Sequence, residues 1–401
     1  MGAPRRPRPL GRAAHACLRR DDRHAGPCGP RWGRLVNTWI LDAIDPLFFG
    51  DGRSVGTGEV NGRALPPPQV VAGLARTRQG LDSNGAWASD PERAKTIPVR
   101  GPFPALLNRD GSVEEWLFPR PADALLLVGG LRRLLPLDLA TWGLRSNLPG
   151  AGLAPVGLAV ADPSKPQPMR ALWRWSELER WLSDPDAPGE IRGVAAPPIE
   201  TRLHVAIDPA TGRALDGALF STAGRRMVTE EGAIGLGLQT SATIQAGVAP
   251  AGGERRLVHW RQASKSLPSA PETVLRSAED GAVRILLATP AILQLGWCPK
   301  RLFDAPPGSV LIAASVGRAE VVSGWDLATN KGRPSRRCAP AGSVYFLRLG
   351  GDTTARRAWA EKAWLEPRAD SDTDRLDGYG SVLLGAWDGK LTPPAPSTRS
   401  L

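Results

Sequence analysis

Apolar and polar positions first settle into a regular pattern at Val36. The run Trp39-Ile40-Leu41-Asp42-Ala43-Ile44-Asp45-Pro46-Leu47-Phe48-Phe49 is mostly apolar and closes on turn formers, which predicts a strand running into a turn. Residues 50–58 hold four glycines in nine positions and read as a loop. Pro66-Pro67-Pro68 then puts proline where a helix begins, because the N–H that proline lacks would have no partner there. Val70, Val71 and Leu74 recur at helical spacing, with Arg76, Arg78 and Gln79 off that face. The first unit is therefore strand, glycine loop, helix.

Hairpin signals dominate the middle of the chain. Asn108-Arg109-Asp110-Gly111 separates strand-like runs at 102–107 and 113–118. Asp208-Pro209-Ala210-Thr211-Gly212-Arg213 separates runs at 201–207 and 217–220. Short buried strands are predicted at 283–288, 310–314 and 343–349, a helix at 353–365, and a last hairpin around 382–384. Strands outnumber helices and do not alternate with them regularly, so the expected class is α+β with antiparallel sheets. No short-period repeat is visible, only a weak two-fold plan of strands plus a helix early and late.

Composition narrows the reading. Four cysteines in 401 residues exclude a disulfide scaffold. The longest apolar stretch, 285–296, is broken by Thr289, Pro290 and Gln294 and falls short of the ~18 residues of a membrane span. No apolar core of a signal peptide precedes Val36, and a cytoplasmic location is expected. Net charge is +11, but nine arginines against Asp21 and Asp22 place +7 of it in residues 1–36. The rest is only mildly basic, so overall charge is a weak pointer to nucleic acid. Residues 1–36 read as a disordered basic tail or as a start assigned too far upstream, the latter preferred. His15, Cys17, His24 and Cys28 within it lack the spacing of a zinc finger, and no metal or cofactor is expected.

Three places carry candidate chemistry. Gly378-Tyr379-Gly380, with Gly385 beyond, would let backbone amides approach a phosphate, since no Cβ stands in the way. A tight hairpin needs the same glycines, and the spacing leaves both readings open. Residues 324–337 read as a loop with four cations, Lys331, Arg333, Arg336 and Arg337, beside Trp325; this suits phosphate and base contacts or simply a solvated surface. Trp297 and Tyr379 are stacking candidates, although a tryptophan after a strand is more often core. Past residue 36 the only histidines are His204 and His259, and no HExxH or GxSxG motif is present.

Taken in order, several segments resemble one family. Asp45-Pro46-Leu47-Phe48-Phe49-Gly50-Asp51-Gly52-Arg53 is similar to the DPLFFRDGRPF opening of a RAMP-superfamily subunit of type III-B CRISPR (Cmr) effector complexes, the Cmr3-like subunit that holds the 5′ tag of the guide RNA. Leu65-Pro66-Pro67-Pro68-Gln69-Val70-Val71-Ala72-Gly73 is similar to its proline-led helix. Ala206-Ile207-Asp208-Pro209 with Gly217-Ala218-Leu219-Phe220-Ser221-Thr222, Ala288-Thr289-Pro290-Ala291 with Gly296-Trp297, Ser323-Gly324-Trp325-Asp326, and the glycines at 378, 380 and 385 follow in sequence. The resemblance spans about residues 37–390. Gly50 stands where the family often has arginine, and Gln69 where serine or threonine is common.

The resemblance implies two ferredoxin-like (RRM-like) modules with β-rich insertions, at 37–200 and 201–392, and a tail at 393–401. It implies an RNA-binding subunit without catalysis that clamps the 5′ tag of the crRNA and joins the large polymerase-like subunit to the backbone RAMP subunit. Arg53, Gln69, Trp297, Lys331, Arg333, Arg336, Arg337, Gly378, Tyr379, Gly380 and Gly385 are then the RNA-binding candidates. Two alternatives remain: a RAMP endoribonuclease using His204 or His259, and a scaffold that contacts proteins only.

Overall fold

The computed structural model describes residues 37–50, 59–60, 64–82, 86–143, 152–160, 162–184, 190–326 and 329–393. The expectations about 1–36, Arg53 and 394–401 lie outside them. Within them the chain is α+β and carries two main antiparallel sheets.

The first sheet runs Gly247–Pro250, Leu257–Gln262, Asn37–Ala43, Gly232–Thr240, Val99–Leu107, Val113–Pro119, Leu172–Arg174, with Val228–Thr229 folded back on Gly232–Thr240. Its first strand shows why: Trp39 and Leu41 point to one face and Ile40 to the other, and both faces are covered. Helix α1 (Pro68–Gly80) covers the Trp39 face, packing Val71, Ala72 and Ala75 against Leu236, Leu238 and Trp260. The proline signal holds, with extended Pro67 leading into Pro68 as the first helical residue. Arg76 does not lie off the packed face, as expected, but is buried. Its guanidinium donates to the carbonyls of Ile97 and Leu376 and to Asp377, which satisfies it away from water.

The second sheet runs Val310–Ser315, Val344–Arg348, Ala282–Leu287, Val382–Ala386. Both Ala282–Leu287 and Val382–Ala386 are buried at every position. They therefore show no apolar–polar alternation, and the one charge among them, Arg284, is buried. Around them pack α3 (Trp175–Ser183), α4 (Glu272–Glu279) and α5 (Thr353–Ala363), numbered after the short α2 (Pro91–Lys95). Val382–Ala386 is not half of a terminal hairpin. It follows the short helix α6 (Asp372–Leu376) and a tight turn, and pairs with Ala282–Leu287.

The two sheets share one order. Take strands 37–43, 99–107, 232–240 and 257–262 as first to fourth: they lie fourth, first, third, second. Strands 282–287, 310–315, 344–348 and 382–386 lie in that order too. Helix α1 sits between the first and second strands of the first set, and α5 between the third and fourth of the second. The first sheet takes strands up to Gln262, well past the boundary expected at residue 200. What intervenes is an arm, Ile199–Ile207 paired with Ala214–Arg225, where Leu203 is 74% exposed.

Residues 324–337 do not form a loop. They belong to a hairpin, Glu320–Asp326 paired with Lys331–Cys338. Pro334 lies at a register shift in this two-stranded ribbon, where a missing N–H is tolerated.

Candidate nucleic-acid interface

The glycine-rich segment is turned inward. Gly378 and Gly380 have φ of +91° and +75°, and a Cβ on either would stand 2.8 Å from a backbone atom, Val99 O or Ala369 N. Glycine is required there by close backbone approach, of Val99 to Gly378 and of Ala369 to Gly380. The three amides of the turn are occupied: Gly378 N–H donates to Arg375 O (2.9 Å), Tyr379 N–H to Asp374 O (3.0 Å) and Gly380 N–H to Pro290 O (2.8 Å). Thr289 Oγ1 donates to Gly378 O and accepts from Ser381 N–H. Tyr379 is wholly buried against Val322, Cys338 and Ala369, and burial pushes its hydroxyl well above the usual phenol range. Gly385 packs against Arg284 and Leu182 within the second sheet. None of the four faces solvent in this structure, and no amide of the 378–380 turn is open to a phosphate.

A groove of about 720 Å³ lies on the surface nearby. Helix α1 supplies Gln69 and Leu74, the end of the first apolar run supplies Phe48 and Phe49, and α2 supplies Lys95. Trp87 comes from the connection after α1, and Trp325 and Arg333 from the 320–338 hairpin. Trp325 is 58% exposed and Trp87 43%, so both indoles reach solvent, although the Trp87 ring also packs over Gly80. Gln69 and Arg333, 264 positions apart in the sequence, thus share one wall.

The hairpin is held by polar contacts and one small core. Gln69 Nε2 donates to Ser323 O at 2.6 Å, and backbone packing there is so close that a Cβ on Gly324 would meet that nitrogen at 2.9 Å. Lys95 Nζ pairs with Asp326 at 3.3 Å. Val322 and Cys338 bury their side chains against Tyr379. On the basic strand Arg336 reaches Asp374 at 2.7 Å and Arg333 reaches Asp377 at 3.6 Å, while Lys331 and Arg337 are exposed. Burial pushes the Asp374 carboxyl up, against the charge and hydrogen bond of Arg336.

Other candidates lie apart. Trp297 is partly exposed on the turn 295–298, where its carbonyl accepts from the Tyr345 hydroxyl at 2.7 Å, and it does not line the groove. His204 stacks on Phe220 at 5.2 Å and contacts Thr222 Oγ1 at 3.0 Å on the arm. His259 sits opposite Asp42 in the first sheet, so the two histidines occupy different sheets. No group of three potential metal ligands occurs among the described residues. None of their helices is long and apolar enough to cross a membrane. Sequence reasoning missed Phe48, Phe49, Trp87 and Lys95 as groove residues; the Phe48-Phe49 pair ending the first apolar run was the available signal.

Two antiparallel sheets of matching strand order, with an aromatic and basic groove beside a helix and a hairpin, define an α+β protein. The sequence matches the CRISPR-associated protein (Cas_Cmr3) family over residues 39–387, and the chain belongs to that family. No curated protein sequence matches it. Among solved structures it is similar to a chain of a type III-B Cmr-beta complex bound to cognate target RNA, at 13% identity and a TM-score of 0.44, covering 77% of this chain and 86% of that one. The same complex with target RNA and AMPPnP gives 13% identity and a TM-score of 0.41 at the same coverage.

Proposed function

We propose that the chain is a non-catalytic, cytoplasmic subunit of a type III-B CRISPR effector that holds the 5′ tag of the crRNA in this groove. In the assembly it bridges the large polymerase-like subunit and the backbone RAMP subunit. The observation that carries the reading is the convergence of Gln69, Arg333 and two exposed tryptophans on one groove of a Cas_Cmr3-family chain. Single-stranded RNA is bound by stacking of splayed bases and by cations along the backbone. Lys331, Arg336 and Arg337 extend the basic strand beyond the groove, and Arg53 follows Gly50 by three residues. Tyr379, buried against Val322 and Cys338, supports the hairpin from behind, while Gly378, Gly380 and Gly385 serve packing. The shared strand order favours two ferredoxin-like modules, one keeping its first helix and the other its second.

The test is a salt titration of RNA binding by the chain assembled with its partner subunits, using guide RNAs with and without the 5′ tag. Tag-dependent tightening that is lost on Trp325→Ala and Arg333→Ala is expected. Equal affinity for both RNAs would overturn the reading in favour of a protein-only scaffold.

A further inference from the structure

The face of the 320–338 hairpin that carries Arg333 and Arg336 rests on a turn rich in carboxylates. Asp374 and Asp377, at 3% and 5% exposure, lie behind the two arginines. Asp377 is shared: one oxygen takes Arg76 of α1 at 2.5 Å and the other faces Arg333 at 3.6 Å. Asp374 takes Arg336 at 2.7 Å through one oxygen. Arg76 is engaged at all three of its nitrogens, by Asp377, Ile97 O and Leu376 O. Arg333 and Arg336 are engaged at one nitrogen each. Each keeps a side chain about one-third exposed, with a single NH1 contact to its carboxylate. A guanidinium carries five donors in a rigid fork, so one anchored edge fixes where the other points.

We propose that Asp374 and Asp377 are positioning residues for RNA binding, orienting Arg336 and Arg333 so that their free edges meet the phosphates of a single strand. This rests on the reading of the groove as the crRNA site. It also runs against the simplest electrostatic expectation. An acidic group near an RNA surface repels the backbone, and removing its charge would ordinarily tighten binding. Positioning predicts the opposite sign. The two carboxylates lie behind the arginines and are almost closed to solvent, so the strand meets the cations and not the acids.

The experiment compares Asp374→Asn, Arg336→Ala and the double variant, in the assembled complex with a tagged guide RNA over a range of salt. Arg336→Ala is expected to weaken binding and to lower the slope of log affinity against log salt by about 0.7, one single-strand phosphate contact. Asp374→Asn is expected to weaken binding roughly fivefold by freeing a charge-assisted contact, with Asp374→Glu recovering most of it. In the Arg336→Ala background Asp374→Asn is expected to change nothing further. Binding unchanged by both Arg336→Ala and Arg333→Ala would overturn the groove reading itself. Weakening by Arg336→Ala together with unchanged or tighter binding by Asp374→Asn would overturn only the positioning role. Equal losses from Asp374→Asn with and without Arg336 would reduce Asp374 to a structural residue. Arg336→Lys, which keeps the charge but not the fork, covers the case of an Asp374→Asn chain that does not assemble: it is expected to lose affinity with the salt slope unchanged, and full affinity would overturn the proposal.

Discussion

The side chain of Gln69, at the start of α1, donates its Nε2 hydrogen to the backbone carbonyl of Ser323, 2.6 Å away and 254 residues later in the chain. This bond ties α1 to the 320–338 hairpin, and both line the groove. A carbonyl only accepts, so the nitrogen of the amide must face it and the orientation of Gln69 is fixed. Gln69→Leu removes the bond while keeping most of the volume. It is expected to cost about 1 kcal/mol of stability and to speed amide hydrogen exchange across 320–326, with weaker tag binding. Exchange there equal to that of the unaltered chain would mean that Val322 and Cys338 alone seat the hairpin.

Gly380→Ala is expected to act on folding. The residue sits at φ +75°, and a methyl group would stand 2.8 Å from Ala369 N. Left-handed backbone and a backbone clash together predict a loss of about 2–4 kcal/mol, read as a lower melting temperature. A variant that melts normally yet loses RNA binding would restore the phosphate-facing reading of the glycine loop.

Arg284 and Asp123 form a buried pair at 2.5 Å, with side chains 3% and 0% exposed. Arg284 also donates to the carbonyls of Ala386 and Trp181, and the Trp181 indole donates to Asp123. The pair thus fastens the insertion carrying α3 to the centre of the second sheet. Asp123→Ala strands a buried guanidinium and is expected to cost about 3–5 kcal/mol by chemical denaturation. Replacing both partners by apolar residues of similar volume is expected to cost much less.

Strands were legible where the pattern is local. The 99–107/113–119 and 199–207/214–225 hairpins, the buried runs at 282–287 and 344–348, and α5 all follow from periodicity and turn chemistry within a dozen or so residues. Sheet order was not, because Asn37 pairs with Thr240 across two hundred residues and no spacing encodes that. The basic strand reads as a loop in the sequence because Gly324, Gly332 and Pro334 hide its alternation. The glycines at 378 and 380 leave a phosphate loop and a tight hairpin both open in the sequence, because the groups that crowd them, Val99 O and Ala369 N, lie elsewhere in the chain. The groove gathers Phe48, Trp87 and Trp325 from three distant segments. A single sequence offers each of them only as an ordinary aromatic.

Acid should loosen the region around α6. Asp304 faces Arg375 at 2.6 Å, Arg301 at 2.9 Å and Arg368 at 3.2 Å. Burial pushes its carboxyl up, but the Arg375 hydrogen bond and the charges of Arg375, Arg368 and Arg301 outweigh it and hold the group at about 2. A carboxyl depressed by folding stabilises the native state above its unfolded value of roughly 4, and that contribution fades as pH falls toward 2. It is worth about 2 kcal/mol near neutrality. Asp304→Asn is expected to be less stable than the unaltered chain at pH 7, with the difference shrinking between pH 4 and pH 2. A gap that stays constant with pH in denaturant titrations would assign the loss to packing.

Trp325 offers the sharpest test of the groove. Its ring is largely exposed, and its indole N–H makes only a 3.3 Å contact to Asn330 Oδ1 on the same hairpin. Truncation removes little from the core, so Trp325→Ala is expected to leave the melting temperature nearly unchanged. Loss of one stacked base is worth about 1–3 kcal/mol, or roughly 5- to 150-fold in affinity for tagged RNA. Stacking is insensitive to salt, so the slope of affinity against salt should stay the same while its intercept falls. Trp325→Phe should recover most of the loss, since a smaller π face still stacks. A Trp325→Ala chain that melts normally and binds tagged RNA as tightly as before would remove the groove from the RNA path and leave the exposed cations Lys331 and Arg337 as the remaining contacts.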